Sequence, residues 1–309
     1  MTGVERQLVI GEEVATALAK GDPTVALEST IFSHLGLPSP ANRQALDRVN
    51  RAISNGGATP ALTALLNGKP HVGVSEDQYS KVCGPTRKVA ARDIGVALAQ
   101  SWPYGATTVS ATLTLAQAAG IDVFATGGLG GVHRGWASSA DISADLGALA
   151  KNRVISVSAG AKVFLDLPAT LEYLETQSVP VLGWRCDEFP AFHAPSSGLP
   201  LTVRVETAEE VAAIATNHWA MGGGGIVVAA PVPEADGIAL PELNELVDQA
   251  LAAAEGLPVS GGAITPAVLD SLADVSDGRT VSANLALAEN NAVVASEIAG
   301  ALAALRRAG

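Results

Sequence analysis

The sequence predicts a layered α/β fold in a single large domain, residues 1–309, and three observations carry that prediction. Short apolar runs alternate with longer amphipathic stretches, the pattern of strands joined by helices. No Pro-, Gly- or Ser-rich linker and no block of like charge divides the 309 residues. The hydrophobic share of 48% is ample for one sizeable core.

The brief strand-like runs lie at 25–27, 71–74, 123–125, 154–157, 179–182 and 226–230. Helical periodicity covers 42–54, 88–99, 107–119, 139–150, 167–176 and 208–221. Asn55-Gly56-Gly57 and Gly120 supply stops, because Gly takes the left-handed conformation at little cost. The first twenty residues read as an amphipathic helix, with Glu5, Arg6, Glu12, Glu13 and Lys20 interspersed, and lack the apolar centre of a signal peptide. After Ala230 the pattern changes to three helical segments, 241–255, 266–273 and 282–307. Leu285, Leu287, Val293, Val294, Ile298, Leu302 and Leu305 are spread around the last of these, so burial on several sides is expected, against the sheet or another subunit.

The formal net charge of −12 argues against a polynucleotide partner, since gripping phosphate backbones takes a basic face. Free nucleotides are the expected partners instead. Cys83 and Cys186 stand alone, outside any metal-binding or disulfide spacing, which fits a reducing cytoplasm. No apolar run reaches eighteen residues, so no membrane partner is expected.

The polar residues able to do chemistry concentrate in 105–162, where Gly-rich turns sit beside apolar runs: G-A-T-T-V, then F-A-T-G-G-L-G-G-V-H-R-G, D-I-S-A-D-L and S-A-G-A-K. Strands would deliver them to one rim of a sheet, where open α/β proteins bind ligands. Lys162 is either a solvated surface charge or, flanked by Ala159, Ala161, Val163 and Phe164, a desolvated amine able to attack a carbonyl carbon. Asp141 and Asp145 are four apart and would share a helix face, as ligands of a divalent cation or as a helix cap. The glycines beside His133 and Arg134 let amides approach an anion or a sugar, though without the dinucleotide spacing. His133 and Arg134 either steer a phosphate or merely cap that loop. Glu28, after V-A-L, also faces a sheet rim. Lys88 is either a phosphate anchor, with Arg87 or Arg92 as alternatives, or a solvated helix start.

These strings, with V-A-L-E-S-T-I before them and E-N-N-A-V-V-A-S-E-I-A after, resemble the pseudouridine-5'-phosphate glycosidase family, also called the indigoidine synthase A-like family. The resemblance runs from about Val25 into the C-terminal helix. It implies a three-layer α/β/α sandwich around a central mixed sheet, a homotrimer, and reversible cleavage of pseudouridine 5'-phosphate to uracil and ribose 5-phosphate. By that resemblance Lys162 is the nucleophile that captures C1' of ribose as an imine, and Glu28 is the proton donor to the departing base. Asp141 is a Mn2+ ligand. Lys88, Thr108, Val109, His133, Ser143, Ala144, Asp145 and Asn284 contact the substrate.

Two departures stand out. The family's S-H-G-x-P-x-P is S-H-L-G-L-P-S-P here, one residue longer near Leu35, and a Gly-Lys before the late T-P is Gly261-Gly262. Two rival functions remain open on the residues: an ordinary glycosidase using Glu28 and Asp141 as acid and nucleophile, which would not need Lys162, and a sugar-phosphate sensor without turnover.

Overall fold

The computed structural model describes residues 7–255 and 264–308. Glu5 and Arg6 of the expected first helix, and the Gly261-Gly262 departure, lie outside the described residues. The chain starts with β1 (Val9–Ile10), α1 (Glu12–Lys20), β2 (Thr24–Leu27), α2 (Ala41–Asn55), β3 (Thr59–Leu66) and β4 (Lys69–Val72). Then come α3 (Tyr79–Val82), β5 (Arg87–Val89), α4 (Ile94–Ala99), β6 (Tyr104–Thr107), α5 (Val109–Ala119), β7 (Val123–Ala125), β8 (Val132–His133) and α6 (Trp136–Ser139). The second half holds α7 (Ala144–Lys151), β9 (Ile155–Ser158), β10 (Leu165–Asp166), α8 (Leu167–Thr176), β11 (Val181–Trp184), β12 (Val203–Val205), α9 (Ala208–Ala220) and β13 (Ile226–Ala229). It closes with α10 (Leu240–Glu255), α11 (Ile264–Val275) and α12 (Arg279–Ala308).

Eleven strands form one mixed sheet with the main order β1-β4-β3-β2-β7-β9-β13-β11-β12. The segment from β3 through β2, β7, β9, β13 and β11 to β12 is parallel. β4 and β6 pair antiparallel to the second half of β3, and β5 pairs parallel with β6. β2, β7, β9 and β13 are buried at every position, which explains why β7 and β13 are wholly apolar and β2 nearly so, whereas β9 buries Ser156 and Ser158 between Ile155 and Val157. α12 packs on β2, β7 and β9 between α2 and α9, while α5 and α7 pack together and against strands of the sheet, completing three layers around one core.

Local chemistry sets several boundaries. Asp166 caps α8 by accepting from the Ala169 N–H at 3.0 Å, with Pro168 in the first turn, and Ser143 caps α7 through the Asp145 N–H at 3.2 Å. α12 is buried on the sides that meet the sheet, α2 and α9, where Leu285, Leu287, Val294, Ile298 and Leu302 lie, whereas Val293 and Leu305 are exposed.

Three expected elements are corrected, the first being the helix expected over the first twenty residues, which begins only at Glu12 because Val9 and Ile10 form β1 and pair with β4. The helix expected over 88–99 is β5, a single 3-10 turn and the short α4, because Arg87, Lys88 and Val89 pair with Gly105, Ala106 and Thr107 of β6. Tertiary pairing overrides helical propensity there. The helix expected over 139–150 starts only at Ala144, after α6 and an extended passage in which Ile142 bridges Val132. Asp141 therefore precedes the helix and shares no helical face with Asp145.

Candidate active site

A cavity of about 610 Å³ opens beyond the carboxyl ends of β2, β7 and β9. Connections from β2 lead toward β3, whereas those from β7 lead toward β9, so the cavity sits where the winding of the sheet reverses. Its wall contains the eleven residues that the family resemblance assigns to the site, Glu28, Lys88, Thr108, Val109, His133, Asp141, Ser143, Ala144, Asp145, Lys162 and Asn284, but not Arg134, which pairs with Asp248 at 3.5 Å instead.

Glu28 directly follows β2 and is 6% exposed. One carboxyl oxygen accepts a hydrogen bond from the Thr126 hydroxyl. Burial pushes the Glu28 carboxyl up to about 7, and Asp145 adds to the rise, while Lys162, the Thr126 hydrogen bond and Lys88 pull against it. A carboxyl poised there can hold a proton near neutral pH and give it up. Its strand end is fixed by hydroxyls: the Ser29 Oγ lies 3.1 Å from Thr107 Oγ1, which lies 2.8 Å from Thr63 Oγ1.

Lys162 reaches the cavity through a turn that only glycine permits. Gly160 has φ of 74°, and an added Cβ would lie 2.1 Å from the Pro190 carbonyl oxygen. The chain then runs beside the Gly-rich loop, with the Leu129 N–H donating to Gly160 O at 2.9 Å and the Lys162 N–H to Leu129 O at 3.0 Å. This places the lysine within electrostatic reach of both Glu28 and Lys88.

Lys88 projects from β5 with much of its surface open to solvent, yet enough protein surrounds its ammonium to lower its pKa. Burial is the main cause, joined by the like charge of Lys162 and opposed by Asp145 and Glu28. Arg92 shares the cavity wall. Arg87 does not: it alternates to the other side of β5 and stacks its guanidinium 4.9 Å from the Trp102 ring centroid.

Asp145 is buried and fully engaged, accepting from the Ser110 N–H and the Gly130 N–H, each at 3.0 Å. It ties the first turn of α5 to the Gly-rich loop. Gly130 is required by that contact, since a Cβ there would lie 2.3 Å from Ser143 Oγ and 2.7 Å from an Asp145 carboxylate oxygen. Thr108 and Val109 open α5, whose first-turn amides offer an anion partial positive charge. Asn284 is 6% exposed on α12, and its Oδ1 is buried without a hydrogen-bond partner.

Asp141 is half-exposed, with an oxygen 3.8 Å from His133 Nδ1. Burial lowers the pKa of His133, against the pull of Asp141. Among the described residues no group of three or more His, Cys, Asp or Glu side chains converges as a metal site. Asp145 is buried and already holds two amides, so Asp141 is the more accessible carboxylate for a cation here. One hard, accessible carboxylate in a roomy cavity fits Mn2+ or Mg2+ retaining most of its water shell.

Sequence reasoning assigned no part to Thr126, Ser110, Ile142, Leu165 or Phe192, which also line the cavity. Thr126 had a signal, as the first polar residue after an apolar strand. Phe192 had none, for it arrives on the loop between β11 and β12, held by its N–H to Ala159 O at 3.0 Å. Leu35, in the early loop that is one residue longer, also lines the cavity, as do Pro266 and Leu269 of α11.

The sequence pattern of the family described as Indigoidine synthase A like protein matches residues 13–301. A pseudouridine-5'-phosphate glycosidase of Methylobacterium nodulans is 46% identical over 300 residues, spanning 96% of this chain and 88% of that protein. The enzyme of the same name from Herpetosiphon aurantiacus is 45% identical, over 96% of this chain and 98% of its own. Among solved structures, a prealnumycin C-glycosynthase in complex with ribulose 5-phosphate superposes with a TM-score of 0.89 at 36% identity, covering 98% of this chain and 99% of that one. An indigoidine synthase A-like protein of Thermotoga maritima gives a TM-score of 0.85 at 36% identity, covering 96% of each chain. The chain belongs to the indigoidine synthase A-like family.

Proposed function

We propose that this member of the indigoidine synthase A-like family reversibly cleaves the carbon-carbon glycosidic bond of pseudouridine 5'-phosphate, giving uracil and ribose 5-phosphate through an imine on Lys162. The observation that carries the reading is the convergence of a buried acid poised near neutrality, Glu28, with an amine, Lys162, in one cavity beyond the sheet. The relatives' names supply the substrate, and the neighbour holding ribulose 5-phosphate supports a pentose 5-phosphate ligand.

The chemistry follows from the bond. A carbon-linked base is a poor leaving group, so ring opening onto an amine is the easier route. The neutral Lys162 nitrogen attacks C1', the C1'–O4' bond breaks, and the ring oxygen takes the proton shed by the amine. Glu28 then protonates C5 of uracil. The C1'–C5 bond breaks with its electron pair returned to the base, while the nitrogen lone pair forms the iminium. Water adds to the iminium carbon, releasing aldehydic ribose 5-phosphate and restoring the amine and the Glu28 proton. Lys88, Arg92 and the first turn of α5 hold the phosphate, and Asn284 offers its unpartnered oxygen to a sugar hydroxyl. Ser143 and Ala144 line the same wall as Asp145, which holds α5 and the loop at fixed separation. Asp141 would hold Mn2+, with His133 beside it, and the bound ion supplies positive charge and ordered water. We further propose a homotrimer working in the cytoplasm; light scattering that gives a monomer would overturn that assembly.

The test is product analysis with pseudouridine 5'-phosphate and Mn2+, with borohydride trapping of the imine. Uracil, ribose 5-phosphate and a trapped adduct on Lys162 from the wild type, all absent from Lys162→Ala, are expected. Equal turnover by both proteins would overturn the imine route and favour the carboxylate pair. Ligand binding without product would favour a sensor.

A further inference from the structure

We infer that Thr126 is the positioning residue for the Glu28 acid, clamped by Asn291 of α12 and directing the transferable proton to Oε2 of the Glu28 carboxyl. The inference rests on the reading of Glu28 as proton donor. Leu27 and Ala125 are paired across β2 and β7, so Glu28 and Thr126 are the next residues of the two strands and meet at the rim. Thr126 is 5% exposed, and its backbone is held on both sides. Its N–H donates to Val157 O at 3.0 Å. Its carbonyl accepts from Asn291 Nδ2 at 2.8 Å, which also reaches Gly127 O at 3.3 Å. Asn291 is fully buried on the face of α12 that packs against the sheet, so this clamp comes from the core rather than from the cavity.

With its backbone fixed, Thr126 donates its hydroxyl hydrogen to Glu28 Oε1. Oε1 is thereby an acceptor, and a protonated Glu28 carries its own hydrogen on Oε2. One bond thus sets both the rotation of the carboxyl and the oxygen that delivers the proton. The charged groups acting on Glu28 are Lys162 from the passage after β9, Asp145 from α7 and Lys88 from β5. The Thr126 hydroxyl joins the two lysines in favouring the carboxylate against burial. Removing it leaves burial less opposed, so the carboxyl keeps its proton to higher pH.

Thr126→Val keeps shape and removes the hydroxyl; Thr126→Ser restores it. Three quantities are read on the full chain: the unfolding midpoint, the ionisation of Glu28 in ligand-free protein by its infrared carboxyl band (identified by its absence from Glu28→Gln), and the pH profile of kcat with Mn2+. In the valine variant kcat is expected to fall about 10- to 100-fold with KM changed less than about threefold. The infrared titration and the alkaline limb of kcat move upward together, and the serine variant returns all three toward wild type. A valine variant that titrates and turns over as wild type overturns the inference, as does a loss of kcat with an unmoved titration. Should the valine variant not fold, Thr126→Ala gives the same comparison with a smaller side chain. If the wild type shows no turnover, the proposed reaction has failed, while the infrared titration still decides whether Thr126 governs Glu28.

Discussion

The two ends of the central parallel strands are built from the same materials and do opposite things with them. At the amino ends of β7, β9 and β13 a cavity of about 390 Å³ is lined by Gln117, Asp122, Lys151, Arg153 and the glycines 222–224. There the fold consumes the polar groups it gathers. Asp122 pairs with Arg306 at 2.5 Å, the Gln117 amide oxygen accepts from the Arg153 N–H at 2.7 Å, and the Arg153 guanidinium donates to the Trp219 carbonyl. At the carboxyl ends, Glu28 is held buried near neutrality and Asn284 keeps an unpartnered oxygen. A cleft with glycines and charges is thus not in itself a site. What distinguishes the working rim is that a buried acid held near neutrality and an unpartnered amide oxygen line one cavity, an arrangement that is destabilising by itself and becomes useful when a ligand completes it.

The sharpest break of this comparison is a lysine at each rim. Lys162→Ala is expected to lower kcat by roughly 10⁴-fold or more, as loss of a covalent nucleophile does, whereas Lys151→Ala leaves steady-state kinetics unchanged. Next in size is Glu28→Gln, expected to lower kcat by about 10²- to 10⁴-fold. Wild-type activity should be present below pH 7 and lost as pH rises through about 7, since the acid must be protonated to act. The stability consequence has a definite sign. Folded Glu28 holds its proton up to about 7, while the unfolded chain releases it in the ordinary carboxyl range, so the folded state binds more protons between those limits. Stability from this group is present at low pH and is lost across that window as pH rises, and Glu28→Gln should flatten this part of the melting-temperature profile.

Glycine substitutions probe the same contrast at lower amplitude. A Cβ on Gly130 meets Ser143 and Asp145, and a Cβ on Gly224 lies 1.9 Å from the Ala150 carbonyl oxygen. Both alanine variants are expected to lose about 1–3 kcal/mol in urea unfolding. Gly130→Ala should also lose at least about tenfold in kcat, by displacing Asp145 from the amides it joins; Gly224→Ala, measured per folded molecule, should not. The smallest effect is expected for Arg306→Ala, which breaks a solvent-exposed pair with Asp122. It should cost under about 1 kcal/mol and leave activity untouched.

Much of the parallel half of the sheet is legible in the sequence because its central strands are covered on both faces and so are mostly apolar. The runs at 25–27, 123–125 and 226–230 coincide with β2, β7 and β13 to within a residue. β3, β5 and β6 are not legible as strands. Thr59-Pro60 opens the first, Arg87-Lys88 forms most of the second, and Tyr104 to Thr107 reads as the entry to a helix. β3 takes strand conformation by pairing with β2, β4 and β6, and β5 and β6 by pairing with each other and, for β6, with β3.

The sequence by itself determined the alternation of helix and strand, the apolar centre of the sheet and the polar residues gathered along 105–162, since periodicity and composition are local properties of a chain. Its motifs also pointed to the eleven residues that share one wall. The tertiary structure alone decided that Asp141 stands outside the helix of Asp145, that Arg92 rather than Arg87 accompanies Lys88 into the cavity, and that Asn291, in a helix starting over 150 residues after β7 ends, holds Thr126 against Glu28. Those facts depend on desolvation and on hydrogen bonds between segments remote in sequence, and neither exists until the chain has closed on itself.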